Sequence, residues 1–192
     1  WSVVPWLPGA DAEATPPDDL DATAEVLGAF LAALHQPAPP DAPTNPYRGV
    51  PLAERAEVFE GGLDRAAGWL DVASVRSAWM ELLPTPPWRG PALWLHGDTH
   101  PRNLLVHHGR LSGVVDFGDL TGGDPASDLA VAWMLFPPGP RQRFRAALGP
   151  TVDDHTWARA RGWALALGVA LGNGDDRVRA IGHRTIAAAL DD

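Results

Sequence analysis

Cysteine, lysine and long apolar runs are all missing from this chain of 192 residues. The absence of cysteine excludes disulfides and thiolate metal sites. All 15 basic residues are arginine, so no site that depends on a lysine side chain can be built from this sequence. No apolar run approaches the roughly 20 residues that a membrane span needs, and no charged-then-apolar leader resembling a signal peptide occurs. We therefore expect a soluble cytoplasmic protein.

Positive charge is also scarce, because 24 acidic residues leave a formal net charge of −9. This charge argues against a nucleic acid or an anionic membrane as partner, and it is compatible with a cationic ligand. The hydrophobic content of 45% and the nine tryptophans predict a single globular domain with a substantial core. The 20 prolines and 20 glycines predict many loops.

Two motifs stand in the middle of the chain. His96, Asp98 and Asn103 have the spacing H-x-D-x-x-x-x-N of a kinase catalytic loop, and Asp116-Phe117-Gly118 follows as D-F-G. Either triplet alone could be an ordinary turn, with Asp116 as its cap. The joint spacing and the apolar runs around both triplets favour a catalytic site.

The apolar runs predict how these side chains come together. Residues 92–95 form a strand pattern that ends at His96, and residues 104–107 and 111–115 flank a His108-Gly109 turn as a hairpin. The far strand of the hairpin ends at Asp116. We therefore expect Asn103, Asp116 and Asp98 to lie around one small space.

One amide and two carboxylates suit phosphoryl transfer, which depends on charge neutralisation and on alignment of the attacking oxygen. Asn103 and Asp116 supply oxygen ligands of the kind that Mg²⁺ prefers. Asp98 remains to accept the proton of a substrate hydroxyl or simply to orient that hydroxyl.

The runs LHGDTHPRNLLV and GVVDFGDLTGGDPASDLA resemble the aminoglycoside phosphotransferase family. These small-molecule kinases have the pattern H-G-D-x-H-x-x-N, then D-F-G-D and G-D-P-x-x-D-L. The resemblance implies an α+β, protein-kinase-like fold whose C-terminal lobe is mostly helical, with a small β-hairpin carrying the catalytic loop. It also implies that Asp98 is the catalytic base, that Asn103 and Asp116 bind Mg²⁺, and that His96 and Asp128 support the catalytic loop.

The resemblance further predicts the domain division. Residues 1–9 resemble the end of the family's N-terminal lobe and its hinge, with Val3, Val4 and Trp6 next to the nucleotide base, although an ordinary edge strand is the alternative. Residues 10–192 then form the C-terminal catalytic and substrate-binding lobe. With no lysine and no glycine-rich phosphate loop, we expect the N-terminal nucleotide lobe to be absent from the chain, and self-association through the exposed lobe interface to be possible.

Several stretches have helical spacing or helix boundary signals, and they cover about 19–35, 51–70, 73–83, 125–136, 140–148, 153–171 and 175–190. Asp18 or Asp19 is the expected cap of the first helix, and His35 at its end is read as a cap or packing residue.

Three acidic residues are candidates for substrate binding. Asp119 could extend the metal site or cap a loop, and Glu57 lies on an acidic stripe that is either a solvated surface or a wall for a polyamine. Asp153 is a candidate through the resemblance alone, and a helix N-cap already explains it.

These patterns together predict a kinase that transfers the γ-phosphoryl group of ATP or GTP, with Mg²⁺, to a hydroxyl of a small cationic molecule, most readily an aminoglycoside. The alternatives are a metabolite kinase of the same fold, acting on a sugar, an amino alcohol or homoserine, and a nonenzymatic relative.

Overall fold

The structure, a computed structural model, describes residues 5–192. The first four residues of the segment 1–9, which is predicted as a hinge or an edge strand, lie outside the described part. The helices are α1 (Leu20–Leu34), α2 (Ala56–Ala66), α3 (Val72–Leu82), α4 (Ala126–Leu129), α5 (Val131–Leu135), α6 (Pro138–Ala147), α7 (Asp154–Gly172) and α8 (Asp176–Leu190). The strands are β1 (Ala10–Asp11), β2 (Leu93–Leu95), β3 (Leu104–His107), β4 (Arg110–Val114) and β5 (Thr121–Gly123).

Helix α1 forms where the apolar spacing and the cap residues predict it. The Asp19 carboxylate accepts a hydrogen bond from the Ala22 amide at 3.0 Å, which satisfies one of the free donors at the helix start. Leu27 and Leu31 are fully buried on one face. The His35 amide donates to the Leu31 carbonyl and closes the helix.

Two predicted helices have different bounds. The helix expected over 51–70 is a 3₁₀ turn at Leu52–Arg55 followed by α2. Helix α2 runs through the Gly61-Gly62 pair. A Cβ on Gly62 would lie only 2.8 Å from Val169 Cγ1, so this glycine lets α2 pack closely on α7. The helix expected over 125–136 is divided at Ala130 into α4 and α5.

The strands form two small antiparallel sheets, with the orders β1-β3-β4 and β2-β5. In the hairpin, Leu104 pairs with Val114 and His107 pairs with Arg110. His108 and Gly109 have φ values of 50° and 71°, as a two-residue hairpin turn requires. The predicted hairpin is confirmed, and it returns the chain to the loop that precedes β3.

Helix α7 is the centre of the core and packs against α8, α4, α2 and α3. Trp79, Trp133 and Trp163 are among the largest side chains that are fully buried. Helices α7 and α8 touch through glycines, since a Cβ on Gly182 would lie 2.2 Å from the Gly172 nitrogen. None of the helices within residues 5–192 combines the length and apolar character that a bilayer span requires.

Candidate active site

The predicted catalytic loop connects β2 to β3. It turns at Gly97, whose φ of +84° favours glycine, and a Cβ there would lie 2.2 Å from the Asp119 carbonyl oxygen. A larger residue at position 97 would therefore collide with the backbone that follows the D-F-G motif. The loop ends in a short 3₁₀ turn at Pro101–Asn103.

Asp128 holds the start of this loop. Its carboxylate accepts hydrogen bonds from the His96 amide at 2.8 Å and from the Gly97 amide at 2.9 Å. His35 Nε2 lies 3.1 Å from the same carboxylate. Burial raises the pKa of Asp128, but the hydrogen bond and charge of His35 and the two amides outweigh burial, and the pKa falls below its usual value. Asp128 on α4 thus holds the two residues that directly follow β2.

The His96 ring joins the two motifs. It is fully buried, its Nε2 lies 2.9 Å from the Val115 carbonyl oxygen, and its Nδ1 accepts a hydrogen bond from the Asp98 amide at 3.2 Å. These partners fit a neutral ring with the proton on Nε2. His96 also contacts Phe117, with 4.6 Å between the ring centroids.

Asp98 lies between three polar side chains. Its Oδ1 is 3.4 Å from Arg48 Nη2 and its Oδ2 is 3.3 Å from His100 Nε2. Asn103 Nδ2 donates to the Asp98 carbonyl at 2.9 Å and reaches Oδ2 at 3.3 Å. Burial raises the pKa of Asp98, whereas the hydrogen bond and charge of His100 and then of Arg48 lower it, with a net fall to about 2. Asp98 is therefore an anion at neutral pH.

Asn103 and Asp116 lie on adjoining segments, because the Val115 amide donates to the Asn103 carbonyl at 2.9 Å. Asp116 is exposed and has a left-handed backbone, with φ and ψ both 64°. The Asn103 amide group uses its nitrogen toward Asp98, and none of residues 5–192 donates to its side-chain oxygen. Within the described range no group of three or more His, Cys, Asp or Glu side chains could hold a metal ion by itself. One carboxylate and one amide oxygen would suit a cation whose other ligands come from phosphate and water.

The predicted nucleotide hinge falls partly outside the described residues, since Val3 and Val4 are not among them. Trp6 is described, and 90% of it is exposed. It lines an open cleft of about 730 Å³ together with Leu105, Asp116 and Phe117. The assignment of residues 1–9 to a hinge stays a prediction.

The three candidate substrate residues lie apart. Asp119 is exposed near the D-F-G segment and its Oδ1 accepts from Asn45 Nδ2 at 3.2 Å. Glu57 is exposed on α2, outside the lining of the cavity beside Asp98. Asp153 caps α7, where it accepts from the Thr156 amide at 2.7 Å, and it lines a different depression. The structure does not bring these carboxylates together around Asp98.

A cavity of about 110 Å³ lies beside Asp98, between the catalytic loop and helices α2 and α7. Its polar lining includes Arg48, Arg55 and His100, and its apolar lining includes Phe59 and Trp163. Sequence reasoning missed both arginines because Arg48 follows a proline-rich stretch without periodicity, and Arg55 lies at the start of the predicted second helix without belonging to any motif. The signal for His100 was present, since it is the second histidine of H-G-D-x-H.

The chain is similar to known phosphotransferases. The profile described as "phosphotransferase enzyme family" (APH) matches residues 1–163. An aminoglycoside 3′-phosphotransferase from Escherichia coli is 29% identical over 120 residues, which are 61% of this chain and 44% of that protein. A viomycin phosphotransferase from Streptomyces vinaceus is 30% identical over 145 residues, or 67% of this chain and 47% of that protein.

The fold is also similar to solved structures. The GDP complex of aminoglycoside 2′-phosphotransferase-IIIa superposes with a TM-score of 0.60 at 18% identity, covering 99% of this chain and 69% of that one. The similarity confirms the α+β, kinase-like fold that the motifs imply. The chain spans less than half the length of the curated relatives that it matches.

Proposed function

Because the chain belongs to the phosphotransferase enzyme family, we propose that its site transfers the γ-phosphoryl group of a nucleoside triphosphate to a hydroxyl of a small molecule. The acceptor oxygen forms a bond to the γ-phosphorus while the bond from that phosphorus to its bridging oxygen breaks. The nucleoside diphosphate leaves with that electron pair, and the hydroxyl proton goes to the Asp98 carboxylate. The products are a phosphate monoester and the diphosphate.

The observation that carries this proposal is the position of Asp98. It is ionised, with a pKa of about 2, and it is held between Asn103, His100 and Arg48 in the lining of a cavity. An anion with so low a pKa is a weak base, so its main contribution is to orient the hydroxyl and to receive the proton late in the transfer. The fixed loop supplies this orientation without a conformational search.

The donor side rests on Asp116 and Asn103. We propose that the Asp116 carboxylate and the Asn103 amide oxygen hold Mg²⁺, which when bound neutralises charge on the phosphates. The cleft that contains Trp6 and Phe117 adjoins Asp116 and offers an apolar surface for a nucleotide base. ATP and GTP are both candidate donors.

The relatives suggest the first acceptors to test. Two curated proteins similar to this chain are named for aminoglycosides and one is named for viomycin. Aminoglycosides are therefore the first candidate acceptors of the whole protein. Arginines in the lining of the cavity beside Asp98 favour a second class of acceptor, one that carries an acidic group.

The test of the proposed function is Asp98→Asn in the intact protein. The amide cannot receive the proton, so turnover should fall by roughly 10²–10⁴-fold while nucleotide binding stays unchanged. Steady-state kinetics and calorimetry measure the two properties. Asp116→Ala is the matched comparison, since it should weaken Mg²⁺-dependent nucleotide binding itself. Equal turnover in the wild type and Asp98→Asn would exclude Asp98 from the reaction.

A further inference from the structure

The cavity beside Asp98 is lined by more positive than negative charge. Three arginines line it, Arg48, Arg55 and Arg65, and Asp98 is the single carboxylate among the described residues of the lining. Its volume of about 110 Å³ is several times the roughly 10–15 Å³ that one water needs on this measure. The space can therefore hold part of an organic acceptor.

Arg55 has no acidic partner within residues 5–192. Its guanidinium carbon lies 5.5 Å from the centre of the Tyr47 ring and 5.8 Å from that of Trp163. Its Nε is buried and donates no hydrogen bond to any described residue. Arg55 lines the cavity and no carboxylate among the described residues compensates its charge, so an acidic oxygen that a ligand brings into the cavity would be stabilised beside this guanidinium.

Arg48 stands beside Arg55 and adds to the positive charge. Its Nε is also buried and without an acceptor in the described range, while its Nη2 reaches Asp98 at 3.4 Å. Burial of Arg55, followed by the charge of Arg48, lowers the pKa of Arg55. These two guanidinium groups share one nearby carboxylate, Asp98, which contacts Arg48, so the lining keeps an excess of positive charge.

Another buried arginine of the same fold shows what a purely structural role looks like. Arg159 Nε lies 2.7 Å from the Asp124 carboxylate, and its Nη1 donates to the Pro86 carbonyl at 2.8 Å. Both directions of that guanidinium are satisfied inside the protein. Arg48 and Arg55 instead line a cavity, and Arg55 has no carboxylate partner among the described residues.

From these observations we infer that the acceptor carries an acidic oxygen group, a carboxylate or a phosphate, close to the hydroxyl that is phosphorylated. The hydroxyl faces Asp98, and the acidic group accepts from Arg48 and Arg55. The two groups must be close in the acceptor because Arg48 itself touches Asp98. The planar fork of arginine suits such oxygen pairs. This inference rests on the proposed function, since it concerns the acceptor of the same site.

The rest of the cavity fits an apolar body. Phe59, Trp163 and Leu167 line the side toward α2 and α7. A polycationic acceptor would meet the like charge of two arginines at this wall. The acceptor class that fits best is thus a hydroxy acid with an apolar portion.

The test uses three probes that share a phenyl ring and a hydroxyl, added to the intact protein with a nonhydrolysable nucleotide and Mg²⁺. They are 3-phenyllactate (anion), 3-phenyllactamide (neutral) and phenylalaninol (cation). We expect 3-phenyllactate to bind at least about tenfold more tightly than the amide, and phenylalaninol to bind most weakly. The affinity for glycerol 3-phosphate relative to glycerol tests a phosphate in the same way. The larger of the two affinity ratios shows whether the acceptor's acidic group is a carboxylate or a phosphate. Calorimetry or tryptophan fluorescence measures the affinities.

Substitutions of Arg55 test whether this residue causes the preference for the anion over the amide. Arg55→Gln should reduce the ratio between 3-phenyllactate and its amide to about one, and Arg55→Lys should keep part of it, because charge remains while the fork is lost. Arg110→Gln, an exposed arginine of β4 outside the cavity, is the control and should leave the ratio unchanged. Circular dichroism checks that each variant is folded.

The outcomes separate this inference from the proposed function. Equal affinities for anion and amide, tighter binding of phenylalaninol, or an unchanged ratio in Arg55→Gln would overturn the acidic acceptor. Asp98-dependent phosphorylation of aminoglycosides alone would also overturn it, while the proposed function would stand. Arg55-dependent binding of the anion without any phosphoryl transfer would support the pocket and contradict the proposed function.

Discussion

Asp98 connects ionisation to stability at the scale of one residue. Its pKa in the folded protein is about 2, below the usual 3.8 of an aspartate, because His100 and Arg48 outweigh the effect of burial. A pKa that is lowered on folding contributes stability above about pH 4, and this contribution is lost as the pH falls through about 2. The contribution is about 1–2 kcal/mol once screening by solvent is allowed for.

The measurement is the free energy of unfolding of the wild type and of Asp98→Asn between about pH 6 and pH 2. The difference between the two proteins should shrink toward acid pH, since the asparagine cannot be protonated over this range. In a His100→Gln background the same difference should be smaller above about pH 4, because the strongest cause of the lowered pKa of Asp98 is removed. A difference that stays constant with pH would show that Asp98 titrates normally.

How far the sequence predicts the site also depends on individual residues. The motif spacing located His96, Asp98, Asn103 and Asp116, because their order along the chain is enough to place them on one loop and one hairpin. Arg48 reaches Asp98 across 50 residues through the folding of a loop. No local pattern encodes such a contact, so the charge of the cavity could not be predicted.

At the scale of the helices, too, the sequence predicts what local signals encode and not what depends on packing. The period of apolar residues and the caps predicted α1, α3, α7 and α8 closely, since both signals are local. The acidic stripe of α2 was placed correctly on a helix, but the site it would face depends on packing. Glu60, which follows Glu57 by three residues on α2, lies against α3, where Arg76 Nη2 pairs with it at 2.9 Å, and Glu57 faces solvent.

The contact between α7 and α8 gives a prediction at the scale of the element. A Cβ at position 182 would lie 2.2 Å from the Gly172 nitrogen and 2.6 Å from the Gly168 oxygen, so the two backbones would have to separate. Gly182→Ala should therefore reduce the free energy of unfolding by about 1–3 kcal/mol. Chemical denaturation measures this loss.

Gly139 provides the control, because it lies in α6 with nothing within 4 Å of an added Cβ. Gly139→Ala should be neutral or stabilising by up to about 1 kcal/mol, since alanine loses less freedom in a helix. Equal effects at positions 139 and 182 would mean that helix propensity decides both, and that the close approach of α7 and α8 carries no cost.

At the scale of the whole molecule, the exposed apolar residues are distributed unevenly. Trp6, Leu7 and Phe117 are exposed and line the same cleft next to Asp116. Apolar surface of this kind favours association. We expect the 192-residue chain to self-associate with rising concentration, and Trp6→Ser to reduce this association.

Sedimentation velocity over a range of protein concentrations tests the role of the cleft. Val26→Ser is the control, because Val26 is also exposed but lies on α1 outside the cleft. If both substitutions reduced association equally, general surface hydrophobicity would be responsible. A chain that stayed monomeric at every concentration would contradict the prediction.

The bonds of Asp128 have a consequence for the order of folding. The amides of His96 and Gly97 are held by a side chain 32 and 31 residues further along the chain, and that side chain also contacts His35 at the end of α1. The catalytic loop therefore cannot take its final shape until α1, β2 and α4 have met. Exchange of these two amides with solvent hydrogen should require the whole junction to open, so we expect the predicted catalytic loop to complete its shape only when these elements have packed and to be slow to loosen afterwards.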